Sequence, residues 1–496
     1  MDIKQVVENQ RNYFLENDGF GFSVKQRMCN LKILKQSILE NLDELKKAFL
    51  IDYNKTEFDV LATEVGLVLN EINYMVKHLK ALSKKKRVST SLINFPSSGY
   101  LYREAYGVVL VVAPWNYPFQ LSMMPLVGAI AGGNTVVLKP SNYCPEVSKV
   151  IKKILSVFDE RYISVVLGGR EQNAELFEQK FDFVFFTGGT TVAKVLAEKA
   201  SRNLTPCVLE LGGKSPCIIN DDADVDLSAK RIVWGKFLNA GQTCVAPDHI
   251  YVHSSLKQKF VDAVIKYIKK FYYEEVINGT SVQIEKVDES LGNNWVNNID
   301  AHTCACACEL TKNFPYIINE KHLERLKGLI DPTKLVFGGR NTGRCLEPTV
   351  MVDVTWDDAV MGEEIFGPIM PILTFDNLND LIKEIKQREK PLALYYFGED
   401  SDTANKVIKS LSFGGGCIND TIMHLTEEKL PFGGVGLSGM GSYHGKKSFE
   451  TFTHEKSVMK KSLAIDLPIR YMPYSNKKIK LVKFFFGVKN INKRRK

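Results

Sequence analysis

The sequence lacks the features that would place the chain in a membrane or outside the cell. It has no run near the roughly 20 apolar residues that a membrane-spanning helix needs, and residues 1–10 are polar where a secretion signal would be apolar. Its ten cysteines fall at irregular spacings, so no disulfide framework is indicated. These absences predict a cytoplasmic protein with reduced thiols.

Excess charge of either sign is also absent from most of the chain. The formal net charge is +8, but residues 477–496 carry nine Lys and Arg and no acidic residue, so the rest sums to −1. A fold-wide basic surface is not indicated, and we predict no nucleic-acid partner. The basic tail, residues 463–496, also has three phenylalanines at 484–486. This combination favours peripheral contact with an anionic membrane on its cytosolic face, with a solvated basic end or a nuclear-targeting run at 493–496 as alternatives.

What the chain does contain is a regular alternation of two patterns. About 85 residues with helical spacing of apolar positions, for example 24–50, precede short β-rich apolar runs that alternate with helical stretches. The runs lie at 107–113, 134–138, 162–167, 181–186 and 207–211. Such runs are typical of βαβ units in a parallel sheet that is covered on both faces. We predict an α/β fold with a doubly wound parallel sheet, followed by a second α/β stretch that ends near residue 412.

One segment, residues 276–312, fits neither pattern. It is polar, without helical or strand periodicity, and such long loops are either functional or disordered. Its Cys304, Cys306 and Cys308 lie beside His302, but they alternate and lack the spacing of zinc knuckles. We therefore predict a solvated, unstructured insertion and no metal site.

Two ionisable side chains stand in sequence contexts that suit catalysis. Cys244 ends a stretch of small residues, where backbone amides can approach a reacting atom, although a lone cysteine is more often a buried structural thiol. Glu210 ends an apolar strand and precedes two glycines. Charged residues are rarely buried without a purpose or a partner, so its pattern leaves a general base and a structural ion pair open.

Two further positions follow predicted strands, where open α/β sheets place their ligand crevice. Asn116 comes directly after the run 107–113, and it can donate to an oxyanion or merely cap a turn. The glycine turn at 187–192 leads from a strand into a helix, which suits phosphate binding at a helix N-terminus. It is not G-x-G-x-x-G, and GGKS at 212–215 lacks the upstream glycine of a P-loop.

Taken together, these blocks resemble the aldehyde dehydrogenase superfamily from the N-terminus to about residue 462. The matching blocks are PWNYP at 114–118, LKPS at 138–141, ELGGKS at 210–215, GQTC at 241–244 and EEIFGP at 363–368. A further set resembles the class 3 branch, which includes fatty aldehyde dehydrogenases: ND at 419–420, LPFGGVG at 430–436 and SGMGSYHGK at 438–446.

The resemblance implies a catalytic mechanism. Cys244 would attack the aldehyde, the Asn116 amide and the Cys244 N–H would hold the oxyanion, and Glu210 would activate water to release the acid from a thioester. It also implies NAD or NADP as cofactor. The residues that it assigns to cofactor binding are Lys139, Gly188, Gly189, Thr190, Thr191, Val192, Glu364 and Phe366. Asn142 departs from the usual Glu after the KPS motif, which bears on the choice between the two cofactors, and Ala193 replaces a frequent third glycine.

The resemblance further implies a domain organisation and a homodimer. Residues 1–86 and 105–210 would form the dinucleotide-binding domain and 211–412 the catalytic domain, with 87–104 and 413–462 as a small β oligomerisation arm. The expected substrates are medium- or long-chain aliphatic or aromatic aldehydes. Alternatives are a CoA-acylating or acyl-phosphate reductase on the same fold, or a catalytically silent structural homologue; Glu210 argues against the first and the intact catalytic positions against the second.

Overall fold

The computed structural model describes residues 2–17, 22–277, 280–283 and 308–488. The α-helices are α1 (Ile3–Glu16), α2 (Val24–Glu40), α3 (Leu42–Tyr53), α4 (Glu57–Val60), α5 (Gly66–Leu82), α6 (Pro118–Gly132), α7 (Pro145–Leu155), α8 (Arg170–Glu178), α9 (Thr190–Ser201), α10 (Val225–Phe237), α11 (Lys257–Tyr272), α12 (Glu320–Lys327), α13 (Leu378–Lys386), α14 (Ser401–Ser410), α15 (Lys446–Thr451) and α16 (Asn476–Phe485). The strands are β1 (Lys86–Val88), β2 (Ser97–Ala105), β3 (Val108–Val112), β4 (Thr135–Lys139), β5 (Ile163–Val165), β6 (Phe183–Thr187), β7 (Cys207–Glu210), β8 (Pro216–Ile219), β9 (His249–His253), β10 (Tyr273–Ile277), β11 (Thr280–Gln283), β12 (Cys308–Leu310), β13 (Leu335–Phe337), β14 (Asn341–Thr342), β15 (Cys345–Leu346), β16 (Thr349–Met351), β17 (Ile369–Phe375), β18 (Ala393–Phe397), β19 (Gly415–Ile418), β20 (Gly439–Met440) and β21 (Thr453–Lys461).

The N-terminal part forms a helical layer, as predicted. The expected helical stretch 24–50 is two helices, because the chain turns at Asn41 between α2 and α3. A capping box at Ser23 and Gln26 begins α2, since each side chain accepts from the other residue's backbone N–H. The buried face of α2 packs into the large core through Leu31 and Leu34.

The first large sheet has the strand order β20-β7-β6-β3-β4-β5. All its pairings are parallel except the one between β20 and β7. Successive residues of β3 point into two different cores, with Val109 and Val111 on one face and Val108 and Leu110 on the other. Both faces are therefore covered, which confirms the predicted doubly wound parallel sheet.

A second sheet has the order β13-β16-β17-β9-β8-β18-β19 and is parallel except at β13. A third, antiparallel sheet joins β1, β2 and β21, and β2 pairs with β21 along its whole length. A small β sheet is thus present beside the two large ones. Strands β19 and β20, which also lie in the segment 413–462, belong to the second and first sheets instead.

The prediction that residues 276–312 have no strand structure is wrong at both ends of the segment. Strands β10, β11 and β12 form an antiparallel sheet in the order β11-β10-β12. Strand β10 follows directly after helix α11 in the chain. The N–H of Thr311, just after β12, donates to the carbonyl of Tyr272 at the end of α11 over 2.8 Å. Of the cysteine patch at 304–308, Cys304, Cys306 and the neighbouring His302 lie outside the described residues, and Cys308 begins β12.

No helix in the described ranges is both long enough and apolar enough to cross a membrane. Within the same ranges, no three or more His, Cys, Asp and Glu side chains are grouped so that they could hold a metal ion.

Candidate active site

Parallel strands bring four of the predicted site positions to one edge of the first sheet. Asn116 follows β3, Lys139 ends β4, Gly188 follows β6 and Glu210 ends β7. Because the four strands are parallel, their carboxyl ends share the edge at which open α/β sheets bind ligands. Cys244 lies outside this sheet, in the connection between α10 and β9.

Hydrogen bonds join the segment of Asn116 to the segment of Cys244. The side-chain amide of Asn116 donates to the carbonyl of Gln242 over 3.1 Å, and Asn116 is buried. The hydroxyls of Tyr117 and Thr243 are 2.7 Å apart and share a hydrogen bond. Two hydrogen bonds therefore join segments that are more than 120 residues apart in sequence.

The turn before Cys244 has an unusual backbone conformation. Asn239 and Ala240 have φ values of 55° and 52°, in the left-handed region that non-glycine residues rarely adopt. Gly241 has a φ of 72°, and a Cβ at this position would stand 2.2 Å from the carbonyl oxygen of Gly367. The side chain of Gln242 braces the turn by donating to the carbonyls of Asn239 and Tyr316. Backbone strain of this kind is typical of functional sites.

The thiol of Cys244 is held in its neutral form. Burial raises the pKa of Cys244 to about 12, and the negative charges of Glu364 and Glu210 raise it further, against the opposing backbone N–H groups of Cys244 and Val245. Of the two carboxyl groups, Glu364 has the larger effect on the pKa of the thiol and Glu210 the smaller one.

Glu210 is buried without compensation. Its side chain is 2% exposed, and neither carboxyl oxygen has a hydrogen-bond partner in the part of the chain that the structure describes. Burial raises the pKa of Glu210 well above the usual value. A structural ion pair, the alternative for this residue, is not formed with any described residue. Buried carboxyl groups with strongly shifted pKa values cluster at functional sites.

The turn between β6 and α9 suits a phosphate group. Gly189 is the N-cap of α9, and no side chain of the described residues caps the helix there. Gly188, Thr190, Thr191 and Val192 surround this helix N-terminus, and the first turn contains no acidic residue. Open backbone N–H groups and the positive end of the helix dipole attract an anion. The residues present therefore fit the pyrophosphate of a dinucleotide.

Lys139 lies at the buried end of β4. Its ammonium group is buried, donates to the carbonyl of Pro140 over 2.9 Å, and has its pKa lowered to about 8 by burial. Asn142, in contrast, is exposed and lies beside Gly169.

Glu364 and Phe366 lie where the two large sheets meet. Burial and then the charge of Asp248 raise the pKa of Glu364 to about 8. Phe366 has a φ of 49°, and its ring meets the edge of Trp115 at a centroid distance of 5.3 Å. A cavity of about 370 Å³ is lined by Glu364 together with Thr190 and Gly212. The cavity thus connects the helix N-terminus of α9 with the segment that contains Glu364.

Sequence reasoning missed several residues that support this site. Tyr117 and Thr243 were part of recognised blocks, but nothing in the sequence indicated their contact. Lys55 and Glu64 form a buried ion pair of 2.8 Å next to Asn116. The only sequence signal is that both residues lie in the N-terminal helical region, where charged side chains usually face solvent.

Comparisons with known proteins identify the family of the chain. Residues 2–458 match the family model described as "Aldehyde dehydrogenase family". The chain is 44% identical over 489 residues to the 4,4'-diaponeurosporen-aldehyde dehydrogenase of Staphylococcus aureus, covering 98% of this chain and 99% of that protein. It is 39% identical over 474 residues to aldehyde dehydrogenase family 3 member A2 of Mus musculus, covering 95% and 91%.

Among solved structures, the substrate-bound state of Staphylococcus aureus AldH is similar to this chain with a TM-score of 0.88 and 43% identity, over 98% of this chain and 100% of that one. The chain therefore belongs to the aldehyde dehydrogenase family. It is an oxidoreductase that oxidises aldehydes to carboxylic acids with NAD or NADP, and it resembles the class 3 branch.

Proposed function

We propose that Cys244 is the nucleophile of this dehydrogenase and that Asn116 and Glu210 complete its catalytic site. The observation that carries the proposal is that both carboxyl oxygens of Glu210 are buried and have no hydrogen-bond partner among the described residues. A buried carboxyl group without a partner is costly, and catalysis is a physical reason to keep it.

The first chemical step requires a donor for the developing negative charge. The thiol of Cys244 loses its proton to solvent water, and its sulfur bonds to the carbonyl carbon of the aldehyde. The electron pair of the broken carbonyl π bond moves to the oxygen, which becomes an oxyanion. The side-chain amide of Asn116 and the backbone N–H of Cys244 donate to this oxygen. Each such donor typically contributes about 2.7–4 kcal/mol to the transition state. Asn116 is held for this task by its bond to Gln242.

Cofactor binding is assigned to two groups of residues, of which Thr190 and Glu364 line the cavity. Gly188, Gly189, Thr190, Thr191 and Val192 would hold the pyrophosphate. Lys139 would contact the adenosine ribose, and Glu364 and Phe366 the nicotinamide ribose and ring. When bound, NAD or NADP supplies the acceptor for the hydride that leaves the substrate carbon.

The second chemical step releases the product. Glu210 takes a proton from a water molecule, the resulting hydroxide attacks the thioester carbon on Cys244, and the carbon–sulfur bond breaks to give the carboxylic acid. Because the CoA-acylating and acyl-phosphate alternatives need no water-activating base, the isolated carboxyl group of Glu210 supports hydrolysis.

The experiment that tests the assignment combines a substrate panel with one substitution. Aldehydes from short aromatic to long aliphatic are offered with NAD and with NADP, and formation of the reduced cofactor is followed by absorbance. We expect the highest efficiency with medium- or long-chain aliphatic or aromatic aldehydes. Cys244→Ala should abolish turnover, whereas Cys29→Ala, which changes an exposed thiol, should leave it intact. Full activity in Cys244→Ala would refute the assignment.

We also propose that the protein is a cytoplasmic homodimer that contacts anionic membranes through its tail. The antiparallel sheet of β1, β2 and β21 supports the dimer as an oligomerisation arm. Helix α16 supports the membrane contact, because it exposes apolar side chains such as Ile479 and Phe484 beside its lysines. A basic helix with exposed apolar residues can lie in the headgroup region of an anionic bilayer.

A further inference from the structure

Lys55 and Glu64 form an ion pair that is shielded from solvent. The ammonium nitrogen of Lys55 is 2.8 Å from Oε1 of Glu64, and the side chains are 1% and 0% exposed. Replacing a buried ion pair by apolar residues is often neutral or stabilising, so the pair itself is weak evidence for a role in stability. Its contacts indicate another role.

Both members of the pair bind the turn that contains Asn116. The second oxygen of Glu64 accepts from the backbone N–H of Gln120 over 2.9 Å, in the first turn of α6. This helix has no side-chain cap from its own N-cap residue, Tyr117, so the carboxylate of Glu64 takes that place. Lys55 donates to the carbonyl of Asn116 over 3.4 Å.

The carbonyl of Asn116 is held from two directions. Asn239, in the strained turn before Cys244, donates its side-chain amide to the same oxygen over 2.9 Å. The ammonium group of Lys55 also lies 4.3 Å from the centre of the Tyr117 ring, whose hydroxyl contacts Thr243. The ion pair therefore supports the backbone of Asn116 and Tyr117. The side chains of these two residues make the hydrogen bonds to the segment of Cys244.

A local irregularity in the helix sets the position of Glu64. Residues Leu61–Val65 form a π-helical turn between α4 and α5, closed by a bond from the Gly66 N–H to the Leu61 carbonyl. A Cβ at Gly66 would stand 2.6 Å from that carbonyl oxygen, so the turn requires close backbone approach. Single π-helical turns occur frequently at functional sites because they redirect one side chain.

We propose that Lys55 and Glu64 are positioning residues for the oxidation, acting through Asn116. The pair fixes the turn 116–120 so that the Asn116 amide meets the oxyanion. This inference rests on the proposed role of Asn116 as oxyanion donor. It assigns no chemical step to either residue.

The test is a double-mutant cycle measured by single-turnover formation of reduced cofactor. K55M/E64Q removes both charges, and N116A removes the donor. We expect K55M/E64Q to slow acylation by about tenfold or more, because a displacement near 1 Å can cost up to about 10²-fold. In the N116A background the same two substitutions should add less than about twofold, since residues that act through one group are not additive. Affinity for NAD, measured by fluorescence titration, should be unchanged.

Two controls separate positioning from general damage. R11M/D182N removes the ion pair between Arg11 of α1 and Asp182. Asp182 directly precedes β6, at the end of the strand away from the site, so this double substitution should leave acylation unchanged. K55R keeps the charge beside Glu64 and should retain most of the rate. If K55M/E64Q does not fold, E64D takes its place, because it keeps both charges and withdraws the carboxylate from Gln120.

The outcomes distinguish the inference from the function on which it rests. An acylation loss that is equally large with and without Asn116 would overturn the positioning role, as would a folded E64D or K55M/E64Q with the wild-type rate. If N116A alone has no effect on acylation, the proposed oxyanion donor is wrong, and the inference falls with it.

Discussion

The carboxylate of Glu364 lies against the backbone of Gly212, where a Cβ would stand 2.2 Å from Oε2. Gly212 follows Glu210 by two residues, and the N–H of Gly213 donates to the carboxylate of Glu364. A carboxyl group from the second half of the chain is thereby fixed beside the strand end that contains Glu210. After burial, the charge of Glu364 makes the largest contribution to the raised pKa of the Cys244 thiol.

This relationship predicts how Glu364→Gln changes the reactivity of Cys244. The pKa of Glu364 is about 8, so above that pH the group is negative and disfavours the thiolate. Removing the charge lowers the pKa of Cys244, and alkylation of Cys244 by iodoacetamide without cofactor should begin at lower pH. Near pH 9 we expect alkylation of Cys244 to be several-fold faster in the variant. This corresponds to a decrease in the Cys244 pKa on the order of half a unit to one unit. The rate is measured by peptide mass spectrometry.

Glu363→Gln provides the matched control for this measurement. Glu363 is exposed and pairs with Arg325, and it is not among the groups that raise the Cys244 pKa. Its substitution should leave the alkylation profile in place. A profile that is unchanged or moves to higher pH in Glu364→Gln would contradict the prediction.

Glu210→Gln should separate the two halves of the reaction. The variant cannot take a proton from water, so the thioester should accumulate, with a burst of reduced cofactor followed by steady turnover that is slower by about 10²–10⁴-fold. Intact mass spectrometry detects the acyl group on Cys244. Because burial raises the pKa of Glu210, its base form increases with pH, and wild-type deacylation should also accelerate with pH.

Glu71→Gln is the control for burial of a carboxyl group. Glu71 and Glu210 are both 2% exposed, but Glu71 accepts hydrogen bonds from the Gly445 N–H. No acyl-enzyme is expected in this variant. Equal accumulation in both variants, or none in Glu210→Gln, would count against a water-activating role for Glu210.

Cofactor choice should depend on Asn142. A glutamate near the adenosine ribose would accept from a 2′-hydroxyl and repel a 2′-phosphate, whereas the neutral amide of Asn142 leaves NADP tolerated beside NAD. Asn142→Glu should therefore lower the ratio of NADP to NAD efficiency by about tenfold, the order expected for a close like-charge contact near a surface. Kcat/KM for both cofactors is the measurement. Asn142→Gln should keep the ratio, and an unchanged ratio in Asn142→Glu would reject the idea.

The tail should bind anionic vesicles in a salt-sensitive manner. Each lysine or arginine near anionic lipid contributes about 1 kcal/mol, so the basic segment can hold the protein reversibly. Truncation after Ser475 removes α16 and should abolish co-sedimentation with phosphatidylserine vesicles while activity on a soluble aldehyde persists. Equal binding to neutral vesicles, or none to anionic ones at low salt, would exclude the proposal.

The sequence predicted the sheets better than the helix breaks. Strands such as β3 are apolar at every position, because they are buried on both faces of the sheet. The sequence therefore predicted their positions to within a few residues. The turn at Asn41 was missed because the apolar periodicity continues across it. Strand β12 was missed because its pairing partner, β10, lies more than 30 residues away and neither strand alternates clearly.

The site was predictable in its parts but not in its assembly. Local motifs identified Cys244 and Glu210 as candidates, but their mutual electrostatic effect depends on packing between two sheets. The pair of Lys55 and Glu64 could not be found, because charged residues in an N-terminal helical region normally face water. Lys55 lies in the short loop between α3 and α4. Burial of these groups is a property of the tertiary structure.

The pairing of β20 with β7 has a consequence for biosynthesis. Gly439 lies opposite Glu210 in this antiparallel pair, and the N–H of Leu211 donates to the carbonyl of Ser438. Until the ribosome has translated residues 438–440, β7 is an open edge strand next to β6. A nascent chain that already contains both Glu210 and Cys244 would therefore still lack the strand that closes the sheet beside Glu210. Competence for turnover should arise only after residues 438–440 have been translated.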